Sequence, residues 1–363
     1  MEITMTYNYS DTIEYLLDWY DLNARILPWR TNPKPYYVWI SEIMLQQTRV
    51  EAVKTYFERF IKELPDIKTL AEVSEEKLLK LWEGLGYYNR ARNLQKAAKR
   101  LLSDYEGIMP ADYQTLLKLP GIGTYTAGAI ASIAFQIAEP AVDGNVLRVM
   151  KRLANSFDDI TNSKVKSTLE QDLREIMPLD RPGDFNQAIM ELGATVCIPN
   201  GKPLCQKCPV MHLCQGYKNK NEMKIPVKPE KKPRKLEERT LLLFKKSGQY
   251  ALQKRPSKGL LAGLWELPYV EGRCLIEAVE EYLIQSGIRY ESIESLGAGK
   301  HIFSHIEWHM LGYLIKLPDE EMVNETSDYN DIWKDKLIWA DRQEIDRVYT
   351  LPSAFDTYKK YML

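Results

Sequence analysis

With 363 residues, 45% of them hydrophobic, the chain can support two domains, each with its own core. A formal net charge of -1 excludes a strongly basic nucleic-acid binder in the totals, so any contact with a polyanion must come from locally placed charge. No stretch approaches a membrane span in length, and the polar start Met1-Glu2-Ile3-Thr4 is not a secretory signal. A soluble cytoplasmic protein with no membrane partner is the expectation.

Residues 8–217 read as almost wholly helical. Tyr37, Ile40 and Met44, then Val50, Val53, Tyr56, Phe57 and Phe60, recur at helical spacing, and Pro65, Gly84, Gly86, Gly107 and Pro110 mark turns. Glu42 sits in Val38-Trp39-Ile40-Ser41-Glu42-Ile43-Met44-Leu45, with apolar neighbours on both sides. Burial disfavours a charged carboxylate and raises its pKa, as a general acid requires. A glutamate merely bonded to a backbone group or an arginine is the plainer alternative. Further on, Gly84-Leu85-Gly86-Tyr87-Tyr88-Asn89-Arg90 joins a flexible turn to aromatics at a helix start, where core packing alone would account for the rings.

Asp112 is predicted to cap a short helix whose Tyr113, Leu116 and Leu117 share a face. Leu119-Pro120-Gly121-Ile122-Gly123-Thr124-Tyr125-Thr126 then makes a tight turn. Pro120 ends the first helix, while Gly121 and Gly123 are expected to allow backbone angles and a close approach that a side chain would forbid. Amide groups exposed in such a turn make a seat for a phosphate, although an ordinary helix-helix turn has the same sequence. The small residues Ala127-Gly128-Ala129-Ile130-Ala131-Ser132 are expected to admit a second helix at close range. Downstream, Ala141-Val142-Asp143-Gly144-Asn145 opens another helix, and a helix N-terminus favours the ionised form of Asp143. Glu42 and Asp143 are therefore expected to have pKa values pushed in opposite directions, the pattern of an acid paired with an anionic stabiliser.

Cys197, Cys205, Cys208 and Cys214 are separated by seven, two and five residues, and Cys274 stands alone. Such crowding suits a metal site in a reducing compartment better than a disulfide framework. Spacing alone admits either zinc or a 4Fe-4S cluster, structural in both cases because four protein ligands leave no open position.

From Lys218 to Arg239 the chain holds nine Lys/Arg against four Glu, with Pro226, Pro229 and Pro233, and reads as an extended charged linker. Thr240-Leu241-Leu242-Leu243-Phe244, a Lys-Lys-Ser-Gly turn and Tyr250-Ala251-Leu252-Gln253 then suggest a hairpin. Ile276, Val279 and Leu283 make a helix ended by Gly287, and Ile306, Trp308 and Met310 alternate as in a half-buried strand. This order, with Gly263-Leu264-Trp265-Glu266-Leu267-Pro268 before the helix, resembles a Nudix fold. Glu277-Ala278-Val279-Glu280-Glu281-Tyr282 lacks the arginine and glutamate spacing with which a Nudix hydrolase holds magnesium. A Nudix-like binding domain follows.

The hairpin with Asp143 downstream resembles the helix-hairpin-helix of the endonuclease III superfamily of DNA glycosylases. Bifunctional members carry a lysine in the second hairpin helix that forms a Schiff base; this chain has Tyr125 there, so weak or no lyase activity is expected. Tyr125, with Ser41-Glu42-Ile43-Met44-Leu45-Gln46-Gln47-Thr48, resembles the A/G-specific adenine glycosylases of the MutY family, over essentially the whole chain. The resemblance implies excision of adenine mispaired with 8-oxoguanine or guanine in double-stranded DNA, by an enzyme read as a monomer with no protein partner identified. It implies Glu42 as the acid on the leaving purine and Asp143 as the carboxylate at the sugar, by a field or a transient bond, supported by Tyr125 and Asn145.

The same resemblance assigns Arg25, Trp29, Arg30 and Gln187 to the adenine pocket, although both arginines would also serve as structural ion pairs. Gln47, Leu85 and Tyr87 would enter the base stack beside Thr48, and Gly121 and Gly123 would meet a DNA phosphate. Phe303, Ser304 and His305 would touch 8-oxoguanine, Ser304 reading the lesion through its hydroxyl. The superfamily holds its 4Fe-4S cluster on four cysteines placed like these, which favours the cluster over zinc, although its usual first gap is six residues and this chain has seven. The fold class expected is an all-α helix-hairpin-helix glycosylase domain with an iron-sulfur cluster at 1–217, the linker at 218–239, and an α+β Nudix-like lesion-recognition domain at 240–363. A relative acting on another mispaired base, such as thymine, is the alternative, to be separated by pocket residues and not by the catalytic pair.

Overall fold

The computed structural model describes residues 7–230, 233–319 and 337–362; the polar start at 1–4 and linker residues 231–232 lie outside these. Two compact units emerge, one of Met1–Val73 with Arg92–Glu230 and one of Ser74–Ala91 with Lys231–Leu363. No described helix is long and apolar enough to cross a membrane.

The regular secondary structure among the first unit's described residues is helical, save for an isolated bridge between Asp159 and Val227. Helix Pro35–Leu45 starts on a proline, whose fixed φ suits the first helical position, and buries every residue from Val38 to Met44. A helix buried on all sides is a core element, so Glu42 has no solvent face to turn to. Helix Val50–Glu63 is instead amphipathic and buries Val53, Phe57 and Phe60.

Asp112 caps helix Tyr113–Leu116 by accepting from the Thr115 amide at 2.7 Å. In the turn that follows, Gly121 has φ +76°, and a Cβ there would lie 2.7 Å from the Cβ of Asn93. Gly123 departs from expectation: its φ is -94° and a Cβ would meet open space, so neither backbone angle nor protein packing demands glycine. Helix Thr124–Ala129 widens into the π-helical turn Ile130–Ala134. Its small residues admit the extended segment at 140–141, and helix Pro182–Thr195 also comes close, a Cβ on Gly183 standing 2.8 Å from the Ser132 carbonyl oxygen. A Cβ on Gly128 would stand 2.1 Å from the Pro140 carbonyl oxygen.

Buried Asn186 clasps that segment, accepting from the Ala141 amide at 3.0 Å and donating to Glu139 O at 2.9 Å and Ser132 Oγ at 2.8 Å. The chain emerges from this grip at Asp143, which caps helix Gly144–Leu153. Val146, Val149, Met150 and Leu153 then pack with Leu169, Phe185, Ile189 and Leu192.

The stretch read as an extended linker is structured at both ends. Ile225 is buried and its carbonyl accepts from Arg152 at 2.8 Å, while residues 235–239 open the first strand of the second unit. Apolar Ile225 and the β-ladder outweigh the charged, proline-rich composition.

The second unit carries a sheet of seven strands among its described residues: β1 (Lys235–Lys246), β2 (Gln249–Lys254), β3 (Trp265–Glu266), β4 (Tyr269–Glu271), β5 (Ser292–Ile302), β6 (Ile306–Lys316) and β7 (Leu337–Ala340). The main order is β3-β2-β1-β6-β5, with β4 paired to β1 and β7 to β2. The expected β1-β2 hairpin forms, with both Ser247 and Gly248 at positive φ, as a two-residue hairpin turn requires. β1 runs parallel to β6 and is covered on both faces, which explains its unbroken apolar run. Leu242 and Phe244 face Val279 and Leu283 of helix Ile276–Gln285, and Leu241 and Leu243 face Trp308, Phe355 and Tyr358.

Gly128→Ala should lower stability by about 1–3 kcal/mol, the usual cost of overpacking, because the Pro140 backbone must shift. Urea denaturation of variant and parent checks this; equal midpoints would show that the segment yields freely.

Candidate active site

Ten of the predicted site residues line a single cavity of about 590 Å³ in the helical unit: Arg25, Trp29, Arg30, Glu42, Gln47, Thr48, Tyr125, Asp143, Asn145 and Gln187. Hairpin residues Gly121 and Gly123 are outside its lining.

Glu42 reaches the cavity from the buried helix. Burial pushes its carboxyl up to about 7, opposed by a hydrogen bond from the Tyr125 hydroxyl to Oε2 and reinforced by Asp143. Burial also raises the Tyr125 phenol well above its ordinary value. Tyr125 therefore remains neutral and donates to Glu42, a contact that its sequence position did not disclose.

Asp143 accepts at Oδ1 from the amides of Asn145 and Val146, both at 2.8 Å, and at Oδ2 from Asn145 Nδ2 at 2.7 Å. Asn145 is held in turn by Arg148, whose Nη2 donates to its Oδ1 at 2.9 Å. The expected depression of the Asp143 pKa is not found: burial raises it, and the three hydrogen bonds with the Arg148 charge only pull it back. Both carboxyls thus shift upward. The asymmetry survives in their partners, one hydrogen-bond donor side chain on Glu42 against three donors on Asp143.

The arginines of the expected adenine pocket converge on Glu191, a residue without a local sequence signal. Glu191 Oε2 accepts from Arg25 Nη2 at 3.1 Å and lies 2.9 Å from Arg30 Nη2. Its side chain is fully buried, yet its carboxyl stays below the ordinary value because the two guanidiniums outweigh burial. Arg25 and Arg30 are therefore ion-paired and line the cavity as well. Trp29 is buried against Phe57 with ring centroids 5.3 Å apart. Lys166 and Met190 also face the cavity and were not anticipated.

Gln47 and Tyr87 both hold left-handed backbone, with φ of 61° and 47°, and both are exposed. Non-glycine residues in this region carry strain that persists only where surroundings hold it. Leu85 is buried, at 6% exposure, between Gly84 and Gly86, which both hold positive φ. In the second unit, residues 303–305 form the turn joining β5 to β6. Phe303 packs on Trp308 at 4.8 Å, while Ser304 and His305 are exposed. The Ser304 hydroxyl is 2.6 Å from that of Tyr87.

Cys197, Cys205, Cys208 and Cys214 line one small cavity beside Arg152, whose Nη1 lies 3.3 Å from Cys197 Sγ. Four thiols around a common space beside a buried cation form a donor set that fits an iron-sulfur cluster. Among the described residues, however, no three His, Cys, Asp or Glu side chains already converge at metal-ligand spacing.

Since Glu42 has a raised folded-state pKa, folding favours its protonated form. The stability it contributes is complete below the unfolded carboxylate pKa and is lost as pH rises through about 7. Glu42→Gln should therefore gain thermal stability relative to the parent at pH 8 compared with pH 5; an equal difference at both would contradict the burial argument.

A family model for HhH-GPD superfamily base excision DNA repair proteins matches residues 40–175, and one for NUDIX domains matches 239–360. The chain is similar to the adenine DNA glycosylase of Arabidopsis thaliana, 38% identical over 89% of this chain and 60% of that protein. It is 35% identical to that of Rattus norvegicus, over 86% of this chain and 71% of that one. Among solved structures, a trapped endonuclease III-DNA covalent intermediate is 30% identical with a TM-score of 0.50, covering 58% of this chain and 98% of that one. An all-helical unit that places two carboxylates in one cavity, a Nudix-like second unit and this similarity agree: the chain belongs to the adenine DNA glycosylase family.

Proposed function

We propose that the chain is a monofunctional adenine DNA glycosylase of base excision repair, acting in the cytoplasm as a monomer on adenine mispaired with 8-oxoguanine or guanine in duplex DNA. The observation that carries this reading is the meeting of buried Glu42, its carboxyl pushed up to about 7, and triply hydrogen-bonded Asp143 in one cavity, with Arg25, Trp29, Arg30 and Gln187 available to hold a base.

The target bond lies inside a duplex, so the nucleotide must be rotated out and the stack filled behind it. Gln47 and Tyr87, exposed on strained backbone, are the residues for that task, and the Gly121 and Gly123 turn receives a phosphate. Glu42 gives its proton to the purine as the base-sugar bond breaks and its electron pair leaves with the base. Tyr125, already donating to Glu42, stabilises the carboxylate that remains. Asp143 faces the positive charge growing on deoxyribose, fixed by Asn145, and water then adds to the sugar. Acid catalysis supplies about 10²- to 10⁴-fold and enzymes as a class about 10⁶-fold or more, so much of the acceleration is assigned to Asp143. Ser304, with Phe303 and His305, reads the opposite base. Tyr125 in place of a lysine leaves no Schiff-base nucleophile at that position.

Single-turnover release of adenine opposite 8-oxoguanine, guanine and thymine, read with and without alkali, tests the assignment. Free adenine should appear opposite 8-oxoguanine, with strand breaks only after alkali, and Glu42→Gln should be inactive. The rate should fall as pH rises through about 7, because the acid loses its proton there. Breaks without alkali, or no adenine release, would end this reading.

Cys197, Cys205, Cys208 and Cys214 hold a 4Fe-4S cluster in this proposal, zinc being the second choice. These four residues would hold it and so tie together the segment around Cys197, whose carbonyl accepts from Arg148 at 2.9 Å. Analysis of the purified chain should find iron and acid-labile sulfide in equal amounts, and both should drop in Cys208→Ser. Zinc without sulfide would overturn the cluster.

A further inference from the structure

Helix Glu75–Leu81 and the turn after it lie early in the chain, yet they belong to the second unit. The half-buried pair Lys80–Glu83 makes the attachment. Lys80 Nζ donates to Ile345 O and Tyr349 O, each at 3.0 Å, and lies 2.5 Å from Glu83 Oε2. Ile345 is in the last turn of helix Arg342–Arg347, where carbonyl oxygens favour a cation. Glu83 Oε1 accepts from the Leu351 amide at 3.2 Å and is 3.8 Å from Lys359 Nζ. A single lysine and a single glutamate thus satisfy three backbone groups across more than two hundred and sixty residues of chain.

Between this attachment and Tyr87 the chain has little freedom. Trp82 is completely buried, and its Nε1 donates to Gly86 O at 3.1 Å. Arg90 Nη2 donates to Leu85 O at 2.8 Å and Gly86 O at 3.1 Å, with its guanidinium over the Trp82 ring at 5.3 Å and the Tyr87 ring at 5.9 Å. Tyr87 is therefore presented, on its strained backbone, at the end of a rigid arm whose root is Lys80–Glu83. Its hydroxyl meets Ser304 at 2.6 Å.

We propose that residues 74–91 are a working part of the lesion reader, and that Lys80 and Glu83 are positioning residues which hold Tyr87 in register with Ser304. This rests on the reading of Ser304 as the residue that senses the base opposite adenine. The pair touches no DNA base in this scheme; it sets where the Tyr87 ring stands when Ser304 meets its target. Loosening it should cost discrimination between opposite bases and leave excision itself intact.

The test compares single-turnover adenine release opposite 8-oxoguanine and opposite guanine for the full chain and for Lys80→Met, Glu83→Ala and Lys80→Arg. Losing charged hydrogen bonds at the root should shrink the 8-oxoguanine preference by about tenfold in the first two variants. The guanine-opposed rate should change by less than about twofold. Lys80→Arg, which can still reach both carbonyls, should keep the preference. Hydrogen exchange of amides 84–91 without DNA reads the attachment directly and should quicken in Lys80→Met. An unchanged ratio in Lys80→Met, equal slowing on both duplexes, or unchanged exchange would overturn the proposal. A parent chain that releases adenine with no preference would instead overturn the reading of Ser304, and the exchange measurement would still decide whether the arm is held.

Discussion

A carboxyl group kept out of water is the constraint on which the helical unit is built. Glu42 lies on a helix with no exposed side from Val38 to Met44, so the protein must either neutralise it or give it partners. It does a little of both: burial holds the proton near neutral pH, and Tyr125 supplies a hydrogen bond that becomes stronger once the proton has gone. The hairpin that carries Tyr125 therefore answers to Glu42. The Asn186 clasp and the open face of Gly128 answer to the same need, because they set Asp143 into the cavity wall across from the acid.

Charge in the pocket follows a related logic. Arg25 and Arg30 would repel each other at the cavity wall, and Glu191, whose Oε2 lies within hydrogen-bond distance of both, offsets that repulsion. A buried ion pair is weak evidence for stability. Its value here is geometric, since two guanidiniums anchored at one carboxylate have few positions left to them.

Much of this was legible from local pattern. Glu42 declared itself by the apolar residues around it, Asp112 and Asp143 by their capping positions, and the β1-β2 hairpin by a Ser-Gly turn between apolar runs. What escaped was whatever depends on distance along the chain. Glu191 meets Arg25 across 166 residues, and Tyr87 meets Ser304 across 217, so neither pairing leaves a periodic trace. The ionisation of Asp143 was misjudged for a different reason: a helix N-terminus acts through a turn of backbone, whereas burial sums over the whole fold. The reading of 218–239 as linker failed at its ends because composition reports average character, while a single apolar Ile225 and a strand register decide where order begins.

The membership of residues 74–91 in the second unit has a consequence for how the protein is made. During synthesis this segment leaves the ribosome long before β1 exists, and its Lys80 and Glu83 have no Ile345, Tyr349 or Leu351 backbone to bind until the chain is nearly complete. Contacts of such sequence separation carry a large loop-closure cost before they return any stability, which slows folding. The two units are thus interleaved in time as well as in sequence, and cutting the chain after Glu230 would leave residues 74–91 without the rest of their unit.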